Sequence, residues 1–293
     1  MSDIGIVGNG FVGGAVAYGF RDQKPLIYDI NPEVSTHSFD EVTNCKYLFI
    51  CLPTPMVCET GGEANTSIVE ECLEKLYQNK DQVIMLKSTV PVGTTKRLAK
   101  KFRLRNLVHC PEFLTAANAK HDFVNADRTV IGSPYLRDNI EEKYSEMAKE
   151  LFLRVFPDIP VYTMTSCESE MVKYTANCFL ATKVGFFNMI FMLGEKLGLD
   201  YNRVLEGVLA DPRIGRSHTA VPGPDGDYGF GGTCFPKDVN AMIKSLQDHG
   251  VSPSILESVW KDNMQYRNNW DWAKNASAVR AMKLGDHYGG DRV

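Results

Sequence analysis

The decapeptide GFGGTCFPKD, residues 229–238, combines a thiol, an ammonium group and a carboxylate with three glycines. Pro236 is typical of the first turn of a helix, so the pattern places Cys234 just before a helix N-terminus. The helix dipole and the adjacent Lys237 both favour the thiolate, which is the form of cysteine that attacks a carbonyl carbon. The glycines would let a substrate lie against bare main chain. We therefore predict that Cys234 is a nucleophile rather than a buried filler residue.

Three polar side chains elsewhere could act with that thiol. Lys173 and Asn177 are four residues apart in SEMVKYTANCFLATK and share one face if the segment is helical. Polar groups on a mostly buried helix need partners, so the two either satisfy each other or an interdomain hydrogen bond, or they bind a substrate oxygen in a cleft. Glu112, in CPEFLTAAN, follows a predicted strand, where an acid can act as a base or cap the next turn.

The N-terminal segment carries the spacing of a dinucleotide-binding turn. Gly8, Gly10 and Gly13 follow a short apolar strand and open a helix, and Asp29 ends the next strand. Glycines let the backbone approach a pyrophosphate, and the acid accepts hydrogen bonds from the ribose. A turn that serves packing alone would not need the acid. Asp29 would repel a 2′-phosphate, and no arginine follows it, so the predicted cofactor is NAD rather than NADP.

Two loops fall where ligands of such sheets bind, beyond the carboxyl ends of the strands. They are LPTP, residues 52–55, and KSTVPVGTT, residues 87–95. Considered alone, their prolines are turn formers and Thr94 is a helix N-cap. The dinucleotide turn upstream favours a second interpretation, in which both loops form walls of the cofactor site.

Strands and helices alternate through the first half of the chain, which predicts an α/β fold with a doubly wound parallel sheet, a Rossmann domain, over residues 1–165. From about Cys167 to Leu197 the pattern becomes one long helix whose stretch CFLATKVGFFNMIFML is too apolar for a surface position. This helix is predicted to be the spine of an all-helical second domain, residues 166–293. Further helices are predicted over 237–249 and 253–275.

Composition excludes several classes of function. The chain has 293 residues, of which 44% are hydrophobic and 23% charged, with a formal net charge of -4 and no basic cluster for nucleic acid. No apolar run is both long and charge-free enough to cross a bilayer, and no secretory signal is evident, so a soluble cytoplasmic protein is expected. The eight cysteines lack CxxC spacing and mostly predict buried thiols, with no metal site.

Taken in order, eight motifs resemble the UDP-glucose dehydrogenase and GDP-mannose dehydrogenase family: GNGFVGG, LPTP, KSTVPVGTT, PEFL, DRTVIG, EMVKYTANCFLATK, DPRIG and GFGGTCFPKD. The resemblance covers residues 1 to about 270. It implies an NAD-dependent oxidoreductase that oxidises the C6 alcohol of a nucleotide sugar to a carboxylate, with UDP-glucose to UDP-glucuronate as the leading reaction. The family passes through an aldehyde that is held on the enzyme as a cysteine adduct and uses two NAD.

The resemblance also implies a role for each matching catalytic residue. Cys234 would form a thiohemiacetal and then a thioester, and Lys173 with Asp238 would serve the first oxidation. Asn177 would hold a sugar or intermediate oxygen, and Glu112 with Thr89 would position or activate the water that hydrolyses the thioester. The implied cofactor-binding residues are Gly8, Asn9, Gly10, Phe11, Val12, Gly13, Asp29, Pro53, Thr54, Ser88, Thr89 and Lys237.

Substrate contacts follow from the same resemblance. The implied residues are Glu112, Phe113, Leu114, Lys173, Asn177, Arg213, Phe230, Gly231 and Cys234. Arg213, in DPRIG, resembles the family arginine that reaches a substrate bound to the neighbouring subunit. A homodimer through the spine helix is therefore expected.

The sequence departs from the family pattern at four places. Ala116 replaces a second acid that touches NAD, Met189 follows Asn188 where the family has a glutamate, and the loop 216–229 is longer than usual. Members normally carry a third, nucleotide-binding domain after the long helix, and this chain stops at Val293. The sequence leaves open whether that domain is cut off, supplied by another chain or missing from a compact form.

Two other functions compete with the leading one. A two-electron 3-hydroxyacid-type dehydrogenase has a similar architecture and also uses a helix-borne lysine and asparagine, but it needs no nucleophilic thiol. A catalytically incomplete NAD-binding protein is the non-enzymatic alternative. Cys234 favours the four-electron enzyme over the first alternative, and the joint presence of Lys173, Asn177, Cys234 and Asp238 argues against the second.

Overall fold

The structure, a computed structural model, describes residues 2–135 and 142–280. The chain forms two compact units: Met1–Thr54 with Asn65–Lys173, and Pro55–Ala64 with Tyr174–Val293. The sequence places residues 55–64 in the first domain, whereas they pack into the second unit. The division also falls inside the long helix rather than before it.

Nine strands are present in the described residues, and their bounds set the labels used below. They are β1 Ile4–Val7, β2 Leu26–Tyr28, β3 Tyr47–Ile50, β4 Met56–Cys58, β5 Gly61–Ala64, β6 Val83–Leu86, β7 Leu107–His109, β8 Thr129–Ser133 and β9 Val161–Thr165. The alternation of strands and helices predicted for the first half of the chain is confirmed. The hairpin of β4 and β5 was not predicted, because its glycines and its loop composition resemble a turn.

Ten α-helices lie in the described residues. They are α1 Phe11–Gly19, α2 Phe39–Thr43, α3 Ser67–Leu73, α4 Thr94–Phe102, α5 Ala119–Val124, α6 Glu142–Val155, α7 Ser166–Leu197, α8 Tyr201–Leu209, α9 Phe235–Asp248 and α10 Ser254–Tyr266. The predicted spine helix is α7.

The first unit contains a seven-stranded sheet in the order β2-β1-β3-β6-β7-β8-β9. One apolar cluster on the sheet includes Phe20, the residue after α1, with Phe123 of α5 and Phe152 of α6. A second cluster includes Val69 and Leu98 from α3 and α4. Because separate sets of helices and strand side chains form the two clusters, the sheet is covered on both faces, and the predicted doubly wound fold is confirmed.

The prediction of a wholly parallel sheet is wrong at one pair of strands. β7 and β8 are antiparallel, with His109 opposite Gly132, whereas β8 and β9 are again parallel. The connection from β7 to β8 contains only the short helix α5. It leaves the carboxyl end of β7 and enters β8 at that same end of the strands. For β8 to run parallel to β7, the chain would have to cross back to the opposite end of the strands before β8 begins. Because His109, the last residue of β7, lies opposite the fourth residue of β8, the start of β8 extends past the end of β7, on the side of the sheet where ligands of such sheets bind.

The second unit packs around an aromatic core. Tyr174 and Cys178 from α7 cluster with Phe230, Trp260 and Trp272. The β4–β5 hairpin joins this core because Trp260 Nε1 donates to Thr60 O at 3.0 Å and Trp272 Nε1 donates to Glu59 O at 2.9 Å. These long-range contacts explain why the hairpin belongs to the second unit.

The helix predicted over residues 253–275 is interrupted. α10 ends at Tyr266, and a short 3-10 helix follows over Asp271–Lys274. Asp227 accepts hydrogen bonds from the backbone amides of Asn268 and Asn269, at 3.1 and 2.9 Å, and so holds the chain in a turn there. Asparagine favours turns over helix interiors, which is consistent with a break at this point.

Helix α7 is long and apolar enough to cross a membrane by length and composition, with a mean hydropathy of 1.4 in its most apolar 18-residue window. The expectation that no run of the chain meets that criterion is therefore wrong. A core helix of a soluble protein passes the same test. Buried Ser169, Glu170 and Lys173 occupy its first turns, and Cys178 and Ala181 lie in the aromatic core farther along.

Candidate active site

The dinucleotide turn has the close backbone packing that its glycines predict. Gly8 has a φ of +92°, and its N–H donates to Tyr28 O at 2.8 Å. A Cβ on Gly13 would lie 1.8 Å from Gly8 O, so only glycine permits this approach of helix α1 to the turn. The N-terminus of α1 faces the turn with no side-chain cap, which leaves its amides for an anionic group such as a pyrophosphate.

Asp29 stands beside that turn, as predicted. Its Oδ2 accepts from Asn9 N at 2.6 Å and its Oδ1 accepts from Asn31 N at 2.9 Å. The Asn9 side chain in turn donates to Val34 O at 2.8 Å. The carboxylate is therefore fixed at the end of β2, where a 2′-phosphate on the ribose would meet its negative charge.

A cavity of about 480 Å³ lies next to α1 in the first unit. Gly10, Phe11, Ala116, Lys120 and His121 are among the residues that line it. Ala116, which replaces an acid of the family pattern, adds only a methyl group to the wall. The rim consequently carries the basic side chain of Lys120 and no carboxylate from position 116.

The two predicted loops are tied to each other. Ser88 Oγ donates to Leu52 O at 2.7 Å and accepts from Leu52 N at 3.1 Å, and Thr54 Oγ1 donates to Thr89 O at 2.5 Å. Thr54, Ser88 and Thr89 are all buried. The two hydroxyls of Thr54 and Ser88 thus hold the loops in register beyond β3 and β6.

Lys173 and Glu112 form a buried ion pair in the first unit. Lys173 Nζ lies 2.9 Å from Glu112 Oε1, and Glu112 Oε2 accepts from Leu114 N at 2.6 Å. Burial acts to raise the pKa of Glu112, but the charge of Lys173 and these hydrogen bonds outweigh it and hold the pKa below its usual value. Glu112 is therefore a carboxylate at neutral pH, able to accept a proton from water.

Two cations that the sequence analysis did not single out accompany this pair. Lys87 Nζ donates to Pro111 O at 3.0 Å and also helps to lower the pKa of Glu112. The Arg128 guanidinium lies 4.1 Å from the centre of the Phe113 ring, and Lys173 Nζ lies 5.5 Å from the same ring. Lys87 and Arg128 belong to the motifs KSTVPVGTT and DRTVIG, which were the only sequence signal for them.

In the second unit, Asn177 and Asp238 are brought together. Asn177 Nδ2 donates to Asp238 Oδ2 at 2.6 Å, and Lys237 Nζ pairs with Asp238 Oδ1. All three side chains are buried or nearly so. The structure gives Lys173 and Asn177 different acidic partners, each 61 residues away along the chain.

Cys234 is the N-cap residue of α9, and Pro236 lies in the first turn, as predicted. The thiol is half-buried, whereas Cys45, Cys72, Cys110 and Cys178 are buried. Burial raises the pKa of the Cys72 thiol to about 12, which makes such a residue inert as a nucleophile. Cys234 combines a place at a helix start with partial access to solvent, a combination that Cys167 in the first turn of α7 shares.

The glycines before Cys234 do not all present open main chain. A Cβ on Gly229 would lie 2.2 Å from Asn263 Oδ1, and one on Gly231 would lie 2.1 Å from Arg267 Nη2. A Cβ on Gly232, whose φ is +75°, would meet no atom within 4 Å. Of the three glycines, Gly232 alone leaves space for a substrate beside the main chain, because the protein's own side chains fill this space at Gly229 and Gly231.

Arg213 is not brought to the other candidate residues of the second unit by any contact in the structure. Its side chain is 87% exposed and forms an ion pair with Asp211, with Nε and Nη2 contacts of 2.9 and 2.5 Å. The guanidinium is thus presented at the surface. No group of three or more metal-ligating side chains occurs within residues 2–135 and 142–280.

Glu170 is a buried carboxyl that the sequence analysis missed. Its Oε2 accepts from Gly93 N at 2.6 Å and its Oε1 accepts from Thr95 N at 2.7 Å. Gly93 is the N-cap of α4, so Thr94 does not cap this helix, and Glu170 on α7 supplies the missing acceptors. Glu170 thereby ties the KSTVPVGTT loop to the helix turn that carries Lys173.

The pH dependence of stability is expected to report on Glu170. Burial raises its pKa from the ordinary value of 4.5 to about 7, despite the hydrogen bonds from Thr95 and Gly93. The folded state then binds more protons, so the free energy of unfolding falls as pH rises through the window from 4.5 to about 7. This loss should reach about 3 kcal/mol and should disappear in Glu170→Gln. Urea unfolding at pH 5 and pH 8 measures it.

The comparison with Glu170→Gln isolates this group from His109. Burial lowers the pKa of His109 to about 3, so its contribution has the opposite sign and is lost as pH falls below 6.5. That contribution is common to both proteins and cancels in their difference. Glu150→Gln, at an exposed position of α6, is the control. A difference between wild type and Glu170→Gln that stays constant with pH would contradict the prediction.

Comparison with known proteins identifies a family that the chain matches. The chain matches the UDP-glucose/GDP-mannose dehydrogenase family twice, as the NAD binding domain over residues 26–155 and as the central domain over residues 167–265. It is 34% identical over 236 residues to a UDP-glucose 6-dehydrogenase of Rickettsia conorii, covering 78% of this chain and 51% of that protein. The chain thus spans about half the length of the curated relatives it matches.

Solved structures agree with the fold. A UDP-glucose dehydrogenase from Pyrobaculum islandicum is 28% identical, with a TM-score of 0.77 over 90% of this chain and 68% of that one. A 3-hydroxyisobutyrate dehydrogenase of Mycobacterium tuberculosis has a TM-score of 0.67 over 90% of this chain and 92% of that one. At 15% identity the second likeness shows the fold alone. A shared fold does not fix the reaction, which has to be argued from the residues of the site.

Proposed function

Because the chain belongs to the UDP-glucose/GDP-mannose dehydrogenase family, we propose that it catalyses the four-electron oxidation of a nucleotide sugar, with UDP-glucose as the leading substrate. NAD is the cofactor of the family's N-terminal domain, which this chain carries. The observation that carries the proposal is Cys234 at the start of α9, one turn before the Asp238–Asn177 pair. A two-electron dehydrogenase has no use for a thiol there.

In the first oxidation, a base takes the proton of the C6 hydroxyl while C6 loses a hydride, which gives an aldehyde. NAD, when bound, accepts one hydride in each of the two oxidations. We assign the proton transfer to Lys173 and Asp238, acting directly or through water. Asn177 is assigned to hold a sugar oxygen, with its amide oriented by Asp238. The ion pair with the buried Glu112 carboxylate would hold Lys173 in place.

The second oxidation uses the thiol. The Cys234 sulfur adds to the aldehyde carbon, and its proton passes to the oxygen, so the thiohemiacetal carbon still carries one hydrogen. Loss of that hydrogen as a second hydride, with the hydroxyl proton released, leaves a thioester. Water activated by Glu112, with Thr89 helping to position it, then displaces the sulfur and gives the carboxylate. The covalent bond keeps the aldehyde from hydrating or diffusing away between the two oxidations.

The function is tested by counting NADH per sugar consumed. The purified protein is incubated with NAD and limiting UDP-glucose or GDP-mannose, and the absorbance of NADH is followed to completion. We expect two NADH per UDP-glucose. One NADH per sugar would favour a two-electron dehydrogenase. The 3-hydroxyisobutyrate dehydrogenase of Mycobacterium tuberculosis has a similar fold. No NADH with either sugar would favour a chain that binds NAD without turnover.

We also propose that two copies of the chain associate through α7, in the cytoplasm. Phe179, Phe186, Leu193 and Leu197 are exposed and recur at intervals that place them on one face of this helix. A contiguous apolar helix face of this kind is typical of an interface between protein chains. The exposed guanidinium of Arg213 would then be available to the substrate of the partner subunit.

Substitution on that face is expected to give a monomer. Phe186→Glu combined with Leu193→Glu places two carboxylates in the proposed interface, where they would lose hydration without gaining a partner. Sedimentation velocity should show a dimer for the wild-type protein and a monomer for the double variant. Glu195→Lys, at an exposed position of the opposite face, is the control and should remain dimeric. A monomeric wild-type protein would refute the association.

A further inference from the structure

The main chain just before Cys234 is held by side chains from other parts of the second unit. We refer to residues 229–233 as the cysteine segment. Gly229 N donates to Asn188 Oδ1 at 2.9 Å, and Phe230 N donates to Asn263 Oδ1 at 2.7 Å. Asn263 Nδ2 also donates to Phe230 O at 3.0 Å, so this side chain bonds both backbone groups of Phe230. Asn188 and Asn263 are buried, and their amides therefore have little freedom to move.

The next contact involves an acid and a buried arginine. Asp271 Oδ2 accepts from Gly232 N at 2.9 Å, and Asp271 Oδ1 accepts from Arg267 Nη2 at 3.1 Å. The Arg267 side chain is only 2% exposed, whereas that of Asp271 is 37% exposed. The acid that bonds Gly232 is thus fixed from behind by a guanidinium that cannot turn away into water.

Arg267 also donates hydrogen bonds to three further residues. Its Nη2 donates to Asp225 Oδ2 at 2.5 Å, its Nη1 to Tyr228 O at 3.3 Å and its Nε to Asn269 O at 2.9 Å. The planar guanidinium supplies all these donors in one fixed fork, which the ammonium group of a lysine cannot reproduce. One side chain thereby joins the loop 216–229, the end of α10 and the 3-10 helix that follows.

The sequence is adapted to this arrangement at Gly231. A Cβ on Gly231 would lie 2.1 Å from Arg267 Nη2 and 2.4 Å from Asp271 Oδ1. Any side chain at this position would push the arginine and the acid away from the cysteine segment. The absence of a side chain at Gly231 therefore serves the approach of the Arg267–Asp271 pair.

We propose that Arg267 is a positioning residue for Cys234, and that it acts by fixing Asp271 and the cysteine segment. The inference rests on the proposed function, since the position of the sulfur matters when the thiol has to capture an aldehyde carbon. Covalent capture depends steeply on the placement of the attacking atom. The first oxidation does not use the sulfur and depends much less on where this segment lies.

The test compares Arg267→Lys and Asp271→Ala with the wild-type protein. Loosening the segment is expected to slow the second oxidation by at least about tenfold while the first changes by less than about threefold. NADH per UDP-glucose should then fall from two towards one, and hydroxylamine should trap an aldehyde. A merely structural effect lowers the folded fraction, which slows both oxidations together and leaves the ratio at two.

A second measurement does not depend on turnover. Iodoacetamide alkylation of Cys234 is followed by mass spectrometry, with the exposed Cys58 as the internal reference in the same molecule. A half-buried thiol is alkylated faster when its segment opens more often, so the Cys234 to Cys58 ratio should rise at least about fivefold in both variants. If Arg267 instead acted by attracting the thiolate, alkylation would become slower.

Rescue and control variants complete the design. Arg267→Ala should regain part of its second oxidation when guanidinium is added at millimolar concentration, far below the level that unfolds proteins. Lys261→Ala removes a positive charge from an exposed position of α10, the helix that ends just before Arg267, and should behave as wild type. An unchanged alkylation ratio, or two NADH per sugar in both variants, overturns the proposal. If the wild-type protein forms no NADH, the proposed function fails, and alkylation alone then decides the role of Arg267.

Discussion

Replacement of Cys234 by serine is expected to stop the reaction at the level of the aldehyde. A serine hydroxyl at the start of α9 is far less acidic than a thiol and adds poorly to an aldehyde without a strong base beside it. The first hydride transfer does not require the sulfur and should continue. NADH per UDP-glucose should therefore fall from two to one or less, with an aldehyde that hydroxylamine traps. The second oxidation should lose at least about a thousandfold in rate, consistent with the loss of a nucleophile.

Cys58→Ser is the matched control for this experiment. Cys58 is exposed on strand β4 and contacts Thr60, and it belongs to none of the candidate site residues. The control should keep the wild-type ratio of two NADH per sugar. If Cys234→Ser also kept that ratio, the thiol would not be the group that retains the aldehyde, and the four-electron mechanism proposed here would have to be abandoned.

The second large effect is expected from Lys173→Met. Methionine fills a similar volume but leaves the buried Glu112 carboxylate without the ammonium group that stands 2.9 Å from it. Removing one partner of a buried ion pair typically costs about 3–5 kcal/mol in the free energy of unfolding. The first oxidation should also be lost, because Lys173 is assigned to the proton transfer that accompanies it. Urea unfolding and NADH formation measure the two effects separately.

A double variant separates stability from catalysis. Lys173→Met combined with Glu112→Gln removes the charge that the single variant leaves unpaired, so most of the lost stability should return. Activity should not return, since neither ionisable group remains. Lys196→Met, at an exposed position of the same helix, is the control and should change stability by less than about 0.5 kcal/mol. Equal stabilities of the single and double variants would show that the pair is not coupled.

Several parts of the site followed from local rules that the sequence obeys. Glycine is required where φ is positive or where two backbones touch, so the turn at Gly8–Gly13 and the acid at Asp29 could be found from spacing alone. Proline in a first helical turn located the start of α9 and the place of Cys234. Hydrophobic periodicity predicted α7 to within one residue at its start. Each of these rules operates over a few residues.

The partners of the buried charges could not be found in this way. Sequence spacing offered Lys173 and Asn177 to each other, whereas the structure pairs them with Glu112 and Asp238. Glu170 reaches an amide 77 residues away along the chain, and Asn188 reaches one 41 residues away. Which acid meets which base depends on how strands and helices are brought together, and no local pattern encodes that choice.

The direction of β8 and the placement of the β4–β5 hairpin were likewise decided by how distant parts of the chain are brought together. A strand of similar composition can pair parallel or antiparallel with its neighbour. β8 is antiparallel to β7 because the connection between them begins and ends at the same end of the strands. The hairpin has few apolar residues of its own, and contacts with Trp260 and Trp272, about 200 residues away, assign it to the second unit.

By itself, the sequence determined where the candidate chemical groups lie in the chain and which elements present them: a dinucleotide turn with its acid, a long helix with a lysine and an asparagine, and a thiol at a helix start. Only the tertiary structure decided what holds those groups, including the carboxylates beside Lys173 and Asn177 and the buried Arg267 behind the cysteine segment. The physical reason is the distance along the chain over which each kind of interaction acts. Backbone conformation and helix ends depend on neighbours within a few residues, whereas a buried charge is stable only beside partners that folding brings from distant parts of the chain.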